Sequence, residues 1–187
     1  GEPEYQDFYY LLPRGESGEL PNNWVSKFGG PAWEPFGDTN LCYLRLFDRT
    51  QPDLNWHNPR VREEATKIVN FWRSKGVRGF RFDVINLIGK PADLPSAPEG
   101  ADDRATYTDG PLVVDYLHEL AAASYGQDAD SITVGEMSAT SLERGVAYSN
   151  RDTGPLTMVF NFHHLKVDYL DGRKWTRTPF DFVRLKA

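Results

Sequence analysis

The chain has little cysteine, no long apolar run and no excess of basic residues. Each of these features excludes or disfavours one class of protein. Cys42 is the only cysteine, so no disulfide can form within the chain, which favours a reducing compartment. No apolar run approaches the roughly 20 residues that span a bilayer. A net charge of −6 without a basic stripe argues against nucleic-acid binding. We therefore expect a cytoplasmic protein with neither a membrane nor a nucleic-acid partner.

The composition otherwise fits one globular domain with a hydrophobic core. The 187 residues are 40% apolar and 26% charged, within the usual range for such domains. The first 56 residues are rich in turn-forming glycine and proline, and within them only the run 41–47 has a pattern that predicts a strand. A turn-rich stretch of this length more often carries function than serves only as a connection.

From residue 57 onward, predicted helices and strands alternate. Asn58 followed by Pro59 is typical of a helix start, and apolar residues recur at helical spacing until Gly76 predicts a stop. The segments predicted after this helix are strand 77–85, loop 90–110, helix 113–121, strand 131–134, helix 141–148, strand 156–162 and a helix that opens at 178–179. This α/β alternation indicates a parallel sheet with helical crossovers.

Two of the predicted strands end in a carboxylate. Asp83 lies near the end of the run 79–84, Gly-Phe-Arg-Phe-Asp-Val, and Glu136 follows a short apolar run that ends in Gly135. A carboxylate at a buried strand end is costly unless it is paired or used. Because the two occupy the same point in consecutive strand–helix units, we expect them to converge on a substrate, as the carboxylates of glycosidases do.

The neighbours of the two carboxylates differ. With a period of two, Arg81 lies on the same side of its strand as Asp83, where its charge favours the ionised carboxylate that a nucleophile requires. Glu136 has no cation beside it within its own strand, which suits a group that has to hold and release a proton. Gly135 leaves room for backbone or substrate to approach closely. A buried structural Arg–Asp pair remains the alternative interpretation of the first strand.

These motifs resemble those of the α-amylase superfamily of retaining glycoside hydrolases (glycoside hydrolase family 13). The segment 79–84 resembles its second conserved region and 134–136 resembles its third. The segment 51–55, Gln-Pro-Asp-Leu-Asn, is similar to the additional region of the oligo-1,6-glucosidase subgroup. Within this subgroup, segments 107–111 and 160–169 are most similar to those of trehalose-6-phosphate hydrolases.

The resemblance implies an α/β fold, namely part of a TIM (β/α)8 barrel that includes about strands four to six with their helices. Residues 1–56 would belong to the loop-rich subdomain inserted after the third strand, and residues 57–187 to the central part of the catalytic barrel. The family's first and fourth conserved regions, the latter with a third carboxylate, have no match in the chain. We therefore expect an internal fragment that is inactive in isolation, because a partial barrel leaves strand edges unpaired and one core face open.

The resemblance also implies roles for individual residues. Asp83 would be the nucleophile that forms a glycosyl-enzyme intermediate, Glu136 the acid and base, and Arg81 the residue that orients and ionises Asp83. Val84 resembles the valine of enzymes that act on α-1,6 or α-1,1 linkages. Asn86 is predicted to point into the substrate site, with capping of the following loop as an equal alternative. No cofactor is expected, and no metal site within the chain.

The substrate implied by the resemblance is a small molecule, a phosphorylated disaccharide. Hydrolysis of trehalose 6-phosphate to glucose and glucose 6-phosphate is the leading hypothesis, and Lys166 is the predicted phosphate contact, supported by His164 and Lys174. A solvated basic loop is the alternative interpretation of these three residues. Two other functions stay open. One is an oligo-1,6-glucosidase or related α-glucosidase that acts on neutral isomalto-oligosaccharides, and the other is a non-catalytic amylase-like domain.

Overall fold

A computed structural model of the chain describes residues 2–162, 167–169, 176 and 178–186. Within these residues lie two three-stranded sheets, one antiparallel and one parallel. The strands are β1 (Leu11–Pro13), β2 (Trp33–Pro35), β3 (Leu41–Leu44), β4 (Gly79–Phe82), β5 (Ile132–Met137) and β6 (Met158–Asn161). The helices are α1 (Pro59–Ser74), α2 (Arg104–Tyr107), α3 (Val113–Ala122), α4 (Leu142–Ser149) and α5 (Phe182–Lys186), with 3-10 turns at Pro3–Phe8, Ile85–Leu87 and Tyr125–Gln127.

The antiparallel sheet is formed by the turn-rich beginning of the chain. Its central strand is β3, in which Cys42 pairs with Leu12 of β1 and with Pro35 of β2. Cys42 and Leu44 are fully buried on one face of the sheet. The sequence predicted only β3, and as a longer run. Strands β1 and β2 were missed because each has three residues and ends in a proline, which is too short for a visible alternation.

The hydrophobic core around this sheet extends beyond the first 56 residues. Its buried members are Tyr10, Trp24, Ala32, Trp33, Cys42, Leu44, Leu46, Leu87, Leu94 and Tyr107. Trp24 Nε1 donates a hydrogen bond to the carbonyl of Pro95 (2.9 Å), and Asn22 Nδ2 donates to the carbonyl of Leu94 (3.0 Å). The predicted 90–110 loop, which contains the unpredicted helix α2, therefore packs on the antiparallel sheet. The division of the chain after residue 56 stays a prediction.

Helix α1 begins and ends close to where the sequence predicts. The Oδ1 atom of Asn58 accepts a hydrogen bond from the backbone N–H of Arg60 (3.0 Å), and Pro59 occupies the first turn, where its missing N–H costs nothing. The helix ends at Ser74, and Gly76 follows with a φ of 91°, a conformation that glycine adopts without strain. Local capping thus defines both ends of α1.

The parallel sheet has the order β4–β5–β6, with helical segments between consecutive strands. This confirms the alternation predicted from residue 57 onward. The helices and the sheet share a second core whose buried members are Val69, Ile85, Val113, Leu117, Leu120, Tyr125, Met137, Tyr148 and Leu156. Phe80 and Phe82 of β4 pack against this core from the sheet, on the face opposite Arg81.

The strand ends differ from the predicted ones. Strand β4 stops at Phe82 because Val84 takes up φ 38° and ψ 43°, after which the chain enters the 3-10 turn Ile85–Leu87. Strand β5 instead continues through Gly135 and Glu136 to Met137, so the predicted end at 134 is too early. Helix α5 begins at Phe182 rather than at 178–179. Phe82 pairs with Gly135 across the ladder, so the residues that follow them lie side by side.

Candidate active site

The carboxyl edge of the parallel sheet brings together Asp83, Glu136 and Arg81. The guanidinium of Arg81 bridges the two carboxylates: Nη1 lies 2.7 Å from Asp83 Oδ1, and Nη2 contacts Glu136 Oε2. Parallel strands place their carboxyl ends at one edge, where α/β proteins of this kind carry their active sites. The three residues that the sequence singled out as catalytic thus form one cluster.

Glu136 does have a cationic neighbour, contrary to the picture obtained from its own strand. The cation is Arg81, which comes from the adjacent strand β4 and which the sequence had assigned to Asp83 alone. The asymmetry between the carboxylates lies instead in their exposure to solvent. The Asp83 side chain is 70% exposed, whereas the Glu136 side chain is 11% exposed. One carboxylate is therefore accessible from solvent, and the other is largely enclosed by protein.

Gly135 packs closely against side chains of the second core. A Cβ atom at this position would lie 2.6 Å from Met137 Cε and 2.7 Å from Leu156 Cδ1, both closer than real side chains approach. The space that the glycine leaves open is therefore filled by the second core. The groups that approach Gly135 closely in this direction are core side chains, and an approach of substrate stays a prediction.

Val84 has a backbone conformation that β-branched residues rarely adopt. Its φ of 38° and ψ of 43° lie in the left-handed region, and its side chain packs against the first core. Outliers of this kind cluster at functional sites, where the surrounding structure holds them in place. In this chain the outlier directly follows Asp83. The turn directs the chain away from the sheet immediately after the carboxylate.

A cavity of about 220 Å³ opens beside Asp83 and Val84. Its other lining residues are Phe47, Gln51, Pro52, Asp53, Leu54, Trp56, Leu87, Ile88 and Lys90. The segment 51–56 thus forms one wall of the space next to the candidate nucleophile. Ligand pockets usually measure about 300–1,000 Å³, so this cavity is smaller than a typical ligand pocket.

Asn86 lies beneath the site and not in it. Its side chain is completely buried, and Nδ2 donates hydrogen bonds to Asp109 Oδ1 (2.9 Å) and to the carbonyl of Ser138 (2.9 Å). Oδ1 accepts a hydrogen bond from the backbone N–H of Ser138 (2.9 Å). Both amide hydrogens are bonded within the protein. Asn86 therefore connects two loops instead of pointing into the substrate site as predicted.

A buried ion pair, which the sequence analysis missed, connects segment 51–56 to the chain that follows β4. The side chain of Lys90 is 2% exposed, and its Nζ lies 2.7 Å from Asp53 Oδ1 and 2.7 Å from the carbonyl of Leu87. His57 Nε2 lies 2.8 Å from the carbonyl of Lys90. The position of this lysine directly after the largely apolar segment 84–89 was the only sequence signal, because its partner lies 37 residues upstream.

The predicted phosphate contacts Lys166, His164 and Lys174 lie outside the described residues.

Within the part of the chain that the structure describes, no three histidine, cysteine, aspartate or glutamate side chains are grouped so that they could hold a metal ion. Among those same residues, none of the helices combines the length and apolar character needed to cross a membrane.

Comparison with known proteins assigns the family. The whole chain, residues 1–187, matches the alpha amylase catalytic domain. The chain belongs to this α-amylase family. It is similar to trehalose-6-phosphate hydrolase of Bacillus subtilis (strain 168), with 50% identity over 97% of this chain and 32% of that protein. It is also similar to oligo-1,6-glucosidase of Parageobacillus thermoglucosidasius, with 41% identity over 97% of this chain and 33% of that protein.

Solved structures agree with this assignment. The crystal structure of Bacillus licheniformis trehalose-6-phosphate hydrolase matches with a TM-score of 0.91 and 45% identity, and covers 100% of this chain and 33% of that one. Isomaltulose synthase from Erwinia rhapontici NX5 matches with a TM-score of 0.89 and 31% identity over 100% of this chain and 33% of that one. These matches confirm the predicted family and the predicted fold, part of a TIM (β/α)8 barrel. The chain spans about a third of the length of these relatives.

Proposed function

We propose that the protein hydrolyses an α-glucosidic bond with retention of configuration, with Asp83 as the nucleophile and Glu136 as the acid and base. The observation that carries this proposal is the contact of one guanidinium, that of Arg81, with both carboxylates at the carboxyl edge of the parallel sheet. Retaining glycosidases use two carboxyl groups about 5–5.5 Å apart. The shared guanidinium places both carboxylates beside one cation, which supports their joint action on one glycosidic bond.

The proposed reaction has two steps. In the first, an Asp83 oxygen attacks the anomeric carbon while the bond to the leaving oxygen breaks, and that oxygen takes the proton of Glu136. In the second, Glu136 removes a proton from water as the water oxygen attacks the same carbon and the ester bond to Asp83 breaks. The exposure of Asp83 supports its role in attack, and the enclosure of Glu136 supports its role in proton transfer.

The proposed substrate is trehalose 6-phosphate, a phosphorylated disaccharide that would be cleaved to glucose and glucose 6-phosphate. Support comes from trehalose-6-phosphate hydrolases of Bacillus subtilis (strain 168) and Escherichia coli (strain K12), which are 50% and 48% identical to this chain. Lys166, assisted by His164 and Lys174, is the proposed phosphate contact. The proposed location is the cytoplasm, in line with the single cysteine, Cys42, which is buried.

The catalytic roles are tested in the protein at its natural full length. Glu136→Gln is expected to lower kcat by about 100- to 10,000-fold, because proton transfer of this kind contributes that much. Asp83→Asn should lower kcat further, and added azide should restore turnover by replacing the missing nucleophile. The matched control is Asp130→Asn, which removes an exposed carboxylate that pairs with Arg78 before β5 begins, and full activity is expected there. Substantial turnover by Asp83→Asn without azide would refute the assignment.

The phosphate role is tested by comparing two substrates. Lys166→Met should raise KM for trehalose 6-phosphate far more than KM for an uncharged aryl α-glucoside. Only the first substrate carries the phosphate that Lys166 is proposed to contact. Lys67→Met, at an exposed lysine paired with Glu64 on α1, is the control and should change neither value. Equal losses on both substrates would contradict a phosphate contact.

The second candidate function is hydrolysis of neutral isomalto-oligosaccharides. It is supported by the 41% identity to an oligo-1,6-glucosidase, and faster turnover of these sugars than of trehalose 6-phosphate would favour it.

A further inference from the structure

A buried polar network lies beneath Asp83 and Glu136, directly beyond the ends of β4 and β5. Asn86 is three residues after Asp83, and Ser138 is two residues after Glu136. The Asn86 side chain and the Ser138 backbone exchange two hydrogen bonds, Nδ2 to the carbonyl and the backbone N–H to Oδ1, both 2.9 Å long. The side-chain amide thus pairs with Ser138 as a strand would. It continues the connection between the two strands after their own ladder has ended.

Asp109 fixes the orientation of this amide. Its Oδ1 accepts a hydrogen bond from Asn86 Nδ2 (2.9 Å), and its backbone N–H donates to the Asn86 carbonyl (3.0 Å). Asp109 is therefore bonded to both the side chain and the backbone of Asn86. Its φ of 52° lies in the left-handed region, which aspartate tolerates better than most residues do. A carboxylate accepts only, so it holds the Nδ2 side of the amide towards itself and leaves Oδ1 for Ser138.

Two hydroxyl groups hold Asp109 in turn. Tyr148, fully buried on α4, donates its hydroxyl hydrogen to Asp109 Oδ1 (2.8 Å), and Thr140 Oγ1 donates to Oδ2 (2.7 Å). Burial and the Asp109 carboxylate raise the pKa of the Tyr148 hydroxyl, which keeps it protonated as a donor. The network therefore joins the loop after β4, the loop after β5, the chain before α3 and helix α4.

We propose that Asn86 and Asp109 are positioning residues that set the separation and orientation of Asp83 and Glu136 for the two-step reaction. This inference rests on the proposed function, because it assigns a task only if these two carboxylates act on one bond. The separation of the carboxyl groups decides the course of glycoside hydrolysis. Arg81 contacts both groups but is itself half exposed, whereas the amide of Asn86 is enclosed and bonded at each polar atom.

The first test exchanges the hydrogen-bond donor and acceptor between Asn86 and Asp109. Asn86→Asp keeps the shape of the side chain but removes two donors and places a carboxylate against Asp109 Oδ1 and the Ser138 carbonyl. A misplacement of about 1 Å costs about 100-fold in rate, so we expect kcat to fall by about 10- to 100-fold with KM within about twofold. The double variant Asn86→Asp/Asp109→Asn restores one donor–acceptor contact and should recover part of kcat. Full activity of Asn86→Asp would overturn the proposal, and so would no recovery in a folded double variant.

The second test is milder and does not depend on tolerance of a buried charge. Tyr148→Phe and Tyr125→Phe each delete one buried hydroxyl from the second core; Tyr148 donates to Asp109, whereas Tyr125 donates to the carbonyl of Pro155 (3.0 Å). We expect similar losses of melting temperature from the two variants. Only Tyr148→Phe should lower kcat, by about 3- to 10-fold, with KM unchanged. Equal kcat values in the two variants would overturn the positioning role.

The outcomes separate this inference from the function on which it rests. If the full-length protein cleaves no α-glucoside, or if Asp83→Asn remains fully active without azide, the proposed function fails and the positioning role fails with it. If Asp83→Asn is inactive while both Asn86→Asp and Tyr148→Phe keep the original kcat, only the positioning role fails. Loss of kcat in these two variants, with Tyr125→Phe unaffected, supports both.

Discussion

The ion pair between Lys90 and Asp53 provides the most informative perturbation of stability. Replacing Asp53 by asparagine leaves the Lys90 ammonium buried without the carboxylate that balances its charge, beside the Leu87 carbonyl. Asp53 Oδ2 also accepts the backbone N–H of Leu46 (3.1 Å). An asparagine has one carbonyl oxygen for these two donors, so one donor has to face its NH2 group. Lys90→Met instead removes the charge of the more deeply buried partner of the pair.

The expected cost follows from the geometry. Two unit charges 2.7 Å apart attract each other by about 6 kcal/mol at an effective dielectric constant of about 20. Desolvation of the two groups offsets part of this, and removal of one partner of a buried pair typically costs about 3–5 kcal/mol. We expect this range for Asp53→Asn, which strands a lysine that is 2% exposed. Lys90→Met should cost less, since Asp53 is 18% exposed and solvent stabilises its remaining charge.

Urea unfolding of the full-length protein measures these costs, with fluorescence and circular dichroism as two probes of the same transition. The double variant Asp53→Asn/Lys90→Met should lose less stability than the sum of the single variants, because neither charge is stranded. Asp130→Asn, at an exposed pair with Arg78, is the control and should leave the midpoint unchanged. If Asp53→Asn costs less than about 1 kcal/mol, the assignment of the pair as a buried, structurally required contact is refuted.

Three further changes test packing and capping, each by the shift in the free energy of unfolding. Gly135→Ala should cost about 1–3 kcal/mol, because its Cβ would lie 2.6 Å from Met137 Cε. Gly110→Ala should cost more, since its Cβ would lie 1.8 Å from the backbone oxygen of Gly89, which cannot rotate away as a side chain can. Asn58→Ala removes the cap of α1 and should cost about 1 kcal/mol.

Matched variants distinguish these causes from a general effect of substitution. Gly145 lies inside α4, and its added Cβ would have ordinary contact with Val159 Cγ2 at 3.8 Å. Gly145→Ala should therefore raise stability by about 0.5–1 kcal/mol, since alanine is the better helix former. A loss equal to that of Gly135→Ala would contradict the packing explanation. Asn58→Asp retains a capping oxygen but loses the Nδ2 donor to the carbonyl of Asp7 (3.1 Å), so it should cost less than Asn58→Ala.

Local rules predicted the elements that local interactions determine. The cap at Asn58, the stop before Gly76 and the side of β4 that carries Arg81 all depend on neighbours within a few residues. Strands β1 and β2 escaped prediction because each depends on β3 for its hydrogen bonds and shows no periodicity of its own. The end of β4 was missed for a different reason: nothing in the sequence marks Val84 as a residue with positive φ.

The candidate site shows the same division. Asp83 and Glu136 were recognisable because each lies close to the carboxyl end of a strand, and their convergence followed from parallel topology. The contact of Arg81 with Glu136 was not recognisable, since it depends on the register between β4 and β5. The burial of Asn86 likewise depends on Asp109, which lies 23 residues away along the chain. Contacts across strands and loops are therefore the part of the site that a single sequence did not reveal.

The bridging guanidinium has a consequence for the charge balance of the proposed reaction. Before attack, the negative charge resides on Asp83 and the proton on Glu136; after attack, Asp83 is a neutral ester and Glu136 carries the negative charge. Arg81 contacts both oxygen positions, so the anion lies next to the same cation in each state. The sum of charges in the triad is zero at both stages. The same cation thus serves both half-reactions. No counterion from solvent is required either before or after the attack of Asp83.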